Sequence, residues 1–180
     1  DAVAALRRAA ELDPGDGAAR RGLGTALAAA GRLEEAEAAC LEALAMDGED
    51  PAAWNDLGNV LRSAGRVEEA EAAFREALAR RPDYVEAHNN LGALLMAENR
   101  LPEAQAALRQ ALARAPDFAV AHYNLGLALL LAGDLEAGLP EYDWRLAVKR
   151  APPPLPGIPA WAGEPLEGRN IFVWAEQGVG

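Results

Sequence analysis

Residues 51–84 read PAAWNDLGNVLRSAGRVEEAEAAFREALARRPDY, and the positions marked by Trp54, Leu57, Gly58, Leu61, Ala70, Phe74, Ala77 and Pro82 return every 34 residues in both directions. A period of this length belongs to one supersecondary unit. Such a unit is too small to bury an apolar face alone and becomes stable by stacking on its neighbours. Gly24, Gly58, Gly92 and Gly126 share one register. They fall inside predicted helices, where glycine costs about 1 kcal/mol relative to alanine. A costly residue returning at fixed spacing predicts the close approach of a second helix. Small residues at two further registers, Ala2, Ala36, Ala70, Ala104 and Gly138, then Ala9, Ala43, Ala77 and Ala111, let antiparallel helices nest.

The apolar stripe Leu23, Leu57, Leu91 and Leu125, with Leu27, Leu61, Leu95 and Leu129, has i, i+4 spacing and marks the first helix of each unit. Leu6, Cys40, Phe74, Leu108 and Tyr142 are the large residues of the second helix. First helices are expected at 17–30, 51–64, 85–98 and 119–132, and second helices at 34–47, 68–81, 102–115 and 135–149, after a lone second helix at 1–12. Gly31, Gly65, Asn99 and Gly133 end the first helices, as residues that tolerate the left-handed conformation do. Pro14, Pro82 and Pro116 stop the second helices, and Asp83 and Asp117 are expected to cap the helices next in the chain. Pro102 stands in the first turn of its helix, where a missing N–H does no harm. Glu34, Glu35, Glu37, Glu68, Glu69 and Glu71 are expected to be solvated faces that complement the helix dipole.

The pattern fails near its end. Trp144 takes the register of Glu42, Glu76 and Gln110, and Arg145 replaces a repeated alanine, so something is expected to cover that face. Six prolines between 152 and 165 forbid helix and predict an extended link over 151–169. Residues 170–180, NIFVWAEQGVG, read as a strand entering a glycine turn. The link is expected to pack on the last unit through Tyr142, Trp144 and Trp161, and the strand to pair outside this segment, a route to self-association.

A formal net charge of −11 argues against nucleic acid and anionic membranes as main partners. No uninterrupted apolar run approaches a membrane span. The single Cys40 permits no internal disulfide and stands at a core register, compatible with a reducing cytoplasm. His88 and His122 both take the register of Trp54, which favours packing over catalysis. No nucleophile–base set, no metal site and no cofactor is expected, and the segment is not expected to be an enzyme.

The 34-residue pattern resembles the tetratricopeptide repeat. The resemblance implies an all-α fold, a right-handed superhelix of antiparallel helix pairs, with units at 17–50, 51–84, 85–118 and 119–150 after a half unit at 1–16. It also implies a concave groove that binds an extended peptide or partner segment. Asn55, Asp56, Asn59, Arg62, Asn89, Asn90, Tyr123 and Asn124 lie on or near the face that the family turns inward. The Asn90-Leu91-Gly92 and Asn124-Leu125-Gly126 triplets resemble the array of O-linked N-acetylglucosamine transferase, where asparagines grip peptide backbone; Asp56 and Gly22 stand at the equivalent earlier places. Removal of Asn90 and Asn124 is accordingly expected to weaken binding and to spare stability. GLPEYDWRL at 138–146 and PAWAGEPLEGRNIFVWAEQGVG at 159–180 resemble the junction between a bacterial tetratricopeptide array and a heptosyltransferase-like domain. That domain's first turn would hold Gly178 and Gly180. Two readings result: an interaction scaffold, or the acceptor-presenting part of a glycosyltransferase.

Overall fold

A computed structural model of the protein describes residues 2–13 and 15–149. The expected link at 151–169 and strand at 170–180 lie outside the described residues. Within them every regular element is a helix: α1 Ala2–Leu12, α2 Gly17–Ala29, α3 Leu33–Met46, α4 Pro51–Ser63, α5 Val67–Arg80, α6 Val85–Ala97, α7 Leu101–Arg114, α8 Ala119–Leu131, α9 Leu135–Tyr142 and α10 Arg145–Lys149.

The pairs α2/α3, α4/α5, α6/α7 and α8/α9 pack most extensively, and each then stacks on the next. The glycine register shows why they can. A Cβ built on Gly58 would lie 2.6 Å from the Phe74 ring, and one on Gly92 would lie 2.6 Å from Leu108 Cγ and 3.2 Å from the Ala104 carbonyl. Gly24 meets Cys40 Sγ at 2.8 Å in the same way. The large residue of the second helix therefore sits directly on the glycine of the first. Phe74, Leu108 and Cys40 are fully buried there.

Both turn types are built from backbone. At the end of α4, Gly65 N–H donates to Arg62 O and Arg66 N–H to Leu61 O, with Gly65 at φ 76°. This paired bonding satisfies carbonyls that the helix end orphans. It recurs at Gly31, Asn99 and Gly133, all at positive φ, in keeping with their residue types. The second turn closes by Tyr84 N–H to Arg81 O and Phe118 N–H to Ala115 O, with Pro82 and Pro116 at the position whose fixed φ suits a turn.

Three expectations need correction. Asp83 and Asp117 are not caps. The residues at N-cap are Tyr84 and Phe118, without a side-chain bond, whereas Asp16, Asp50 and Asp134 do accept from Ala19, Ala52 and Ala137 N–H. The cap register is thus one residue later than the aspartates that come after proline. The helix expected over 135–149 breaks after Tyr142. Pro140 supplies no N–H to Glu136, and the chain tightens to three-residue bonds, Trp144 N–H to Glu141 O and Ala147 N–H to Trp144 O.

The acidic runs, thirdly, are not simply solvated. Arg66 donates to Glu69 of its own helix at 2.7 Å and to Glu37 of the preceding repeat at 2.7 Å. Arg100 does the same with Glu103 at 2.9 Å and Glu71 at 2.8 Å. Glu71 is buried, and Arg75 pairs with it too. Arginine hydrogen bonds hold Glu35, Glu69 and Glu103 below the usual carboxylate range.

Gly92→Leu is expected to lower the melting temperature markedly, because overpacking a filled contact costs about 1–3 kcal/mol. Glu69→Ala, at an exposed ion pair, is expected to leave the melting temperature almost unchanged. Thermal denaturation of the two variants checks the glycine contact, and equal shifts would count against it.

Candidate functional site

Curvature is set by which helices touch. The first helices of successive repeats meet, α2 with α4, α4 with α6 and α6 with α8, while the second helices pack on first helices. The first helices therefore form the concave wall, and all eight expected groove residues lie on them.

The structure divides those residues into two groups. Asn55 and Asn89 are buried, at 5% and 6% exposure. Asn90 Nδ2 donates to Asn55 Oδ1 at 2.9 Å, and Asn124 Nδ2 donates to Asn89 Oδ1 at 3.0 Å. Arg21 donates to Asp56 Oδ2 at 3.3 Å across the same register one repeat earlier. Each bond joins residues 35 apart, so this set ties each first helix to the next. Asp56 is half-buried; burial pushes its carboxyl up, against the pull of Arg21. Tyr123, at the register of Asn55 and Asn89, lies beside Tyr142, with ring centroids 5.6 Å apart.

The second group is Asn59 and Arg62. Arg62 is exposed and donates to Asn59 Oδ1 over a long 3.4 Å. Asn59 lines a shallow depression of about 220 Å³ between α2 and α4, with Thr25, Ala28, Ala29, Asp56, Val60 and Ser63. Along the groove its register runs Thr25, Asn59, Ala93, Leu127, from polar to apolar.

The histidines serve the fold. Trp54 Nε1–H donates to Gly48 O at 2.7 Å, and His88 Nε2 reaches Pro82 O at 2.9 Å, the equivalent carbonyl. A carbonyl only accepts, so Nε2 carries the proton. His122 makes the same strap to Pro116 O, and its Nδ1 meets Glu141. Trp144 covers the imidazole, stacked at 4.2 Å and 6°. The cover expected over the Trp144 face is thus in part a repeat histidine. Glu141, which the repeat pattern does not single out, stands where Ala39, Ala73 and Ala107 recur; that departure was the available signal. Burial pushes Cys40 up to about 12, which makes it an inert thiol at neutral pH. Among the described residues no cluster of metal-ligating side chains occurs, and no helix is long and apolar enough to cross a membrane.

Stacked helix pairs with one internally bonded concave wall define a helical-repeat protein. Models described as tetratricopeptide repeat match residues 1–59, 61–117 and 119–144, and the chain belongs to that family. The fold is similar to that of MamA, at 20% identity and TM-score 0.68, over 82% of this chain and 86% of that one. It is similar also to TTC0263, a thermophilic tetratricopeptide repeat protein of Thermus thermophilus, at 22% identity and TM-score 0.71, over 81% and 80%. The APC/C hetero-tetramer Cut9–Hcn1 contains a chain that gives TM-score 0.75 at 18% identity, over 82% of this chain and 29% of that one. No curated protein matches the chain.

Asn90→Ala is expected to lower stability by about 1–3 kcal/mol, because it leaves the buried Asn55 carbonyl without its donor. Equilibrium denaturation checks this, and it reverses the sequence-based view that Asn90 is dispensable for folding. Burial lowers the His88 pKa from 6.5, so its neutral form favours the fold. That stability is complete above about pH 6.5 and is lost as pH falls through the depressed folded value. His88→Trp, which installs the residue of the second repeat, is expected to flatten the fall of melting temperature as pH drops below about 6.5. An unchanged slope would show that His88 does not carry it.

Proposed function

We propose that the protein is an interaction scaffold whose concave wall binds an extended segment of a partner protein. The observation that carries this reading is the separation of roles on the first helices. Asn55, Asn89, Asn90 and Asn124 spend hydrogen bonds on one another, while Asn59 lines the depression between α2 and α4 and Arg62, one turn on, is exposed. An amide and a guanidinium supply the acceptor and donors that an extended backbone needs. Asp56 and the unshared amide hydrogens of Asn90 and Asn124 extend the same polar line. Beyond it Ala93 and Leu127 favour an apolar residue of the partner. A cytoplasmic setting belongs to the same reading and is supported by the single buried cysteine.

The test is selection of binders from a displayed random-peptide library. Asn59→Ala with Arg62→Ala is expected to weaken the selected peptides at least tenfold, about 1.4 kcal/mol, with melting temperature unchanged. Peptides that map to α3 and α5 instead would defeat the groove reading. The second reading, the acceptor-presenting part of a glycosyltransferase, is supported by the resemblance of residues 138–180. The coding sequence after Gly180 tests it, because a double Rossmann domain must come next.

A further inference from the structure

The last repeat has altered the face that its predecessors use for stacking. At one register Glu37 and Glu71 are gripped by the arginine of the following repeat. Gln105 stands there next, and Leu139 in the last repeat. Leu139 is 56% exposed. Leu135 is 61% exposed, whereas Leu33, Val67 and Leu101 at its register are half-buried. Leu146 is 44% exposed, whereas Leu44, Leu78 and Leu112 are half-buried. Leu131, one tight turn before α9, is 64% exposed. Terminal repeats usually present a polar outer face. Here that face is more apolar than the inner ones, the mark of a surface that is covered.

Three observations select the occupant. A further repeat of this type would bring the arginine of the Arg66 and Arg100 register against Leu139, which desolvates a guanidinium with no carboxylate to meet it. The chain leaves α10 at Lys149, on this same terminal unit, since α10 packs back on α8. The next stretch of chain carries Leu155, Ile158 and Trp161 among prolines and little charge. Trp161 is twelve residues beyond Lys149. In polyproline geometry that stretch reaches about 37 Å, more than the width of a helix pair, about 20 Å.

We propose that segment 150–169 of this chain docks across the terminal face, with Leu155, Ile158 and Trp161 covering Leu135, Leu139 and Leu146. Six prolines in the sequence of this segment restrict its unbound conformations and so reduce the entropy that docking would cost. The segment replaces the missing neighbour with an apolar strap.

The test uses the full chain with Ala162→Cys carrying a nitroxide. Cys40 is fully buried and its thiol unreactive, so it can remain. The methyl signals of Leu135, Leu139 and Leu146 are expected to lose most of their intensity, while those of Leu27 and Leu57 keep theirs. Leu139→Glu, which installs the residue of the inner repeats, is expected to restore the signals of Leu135 and Leu146 without a change of fold. Unchanged methyl intensities would overturn the proposal. So would broadening seen only between spin-labelled and isotope-labelled copies, which assigns the face to a second chain. Persistence of the broadening in Leu139→Glu would also count against it.

Discussion

Each repeat depends on one contact, the seating of a large side chain on a glycine of the antiparallel helix. Phe74 on Gly58 and Leu108 on Gly92 leave no room for a Cβ. The glycine is unfavourable for its own helix by about 1 kcal/mol. It is retained because it brings two helix axes close enough to bury a whole row of small residues. Ala36, Ala70 and Ala104 are completely buried as a result. In the last repeat the approach is closer still. A Cβ on Gly126 would meet the backbone of Tyr142, at 2.7 Å from its Cα, and the Tyr142 ring turns towards Tyr123.

Stacking between repeats uses two polar links on opposite sides of that contact. Asparagine amides join first helices along the concave wall. Arginine forks join second-helix starts to the repeat before them. The second link is exchanged as a set. Where Asp134 replaces the arginine, Gln105 replaces the glutamate, and Gln105 donates to Ala128 O instead. Neither charge is left buried without its partner, which would cost more than the link contributes.

The helix pairs were legible because their cause is periodic. Glycine, alanine and leucine registers repeat at 34 residues, and so do the helices. The positive-φ residues were legible for the same reason, including Asn99 among glycines. What escaped were pairings between residues 29 or 35 apart, because no local rule links Arg66 to Glu37 or Asn90 to Asn55. Asn90 and Asn124 look like free amides in sequence, and only the stacking shows their bonds taken. The break at Asp143 is hidden because Pro140 lies within an otherwise helical pattern. Asp83 and Asp117 look like caps in sequence, but the turn closes at Tyr84 and Phe118, one residue later.

The asparagine link has a direction. In both asparagine pairs the later repeat donates and the earlier one accepts, Asn90 to Asn55 and Asn124 to Asn89, whereas Arg21 of the earlier repeat donates to Asp56 of the later one. A head-to-tail contact of this kind has no closed symmetry of its own, and identical units joined by it could grow into a filament. The next acceptor in the series would be residue 123, and it is a tyrosine. A phenol packed against Tyr142 offers neither the shape nor the carbonyl that the next amide would need. The series of asparagine pairs thus ends at the last repeat, where an aromatic contact takes the place of the amide acceptor.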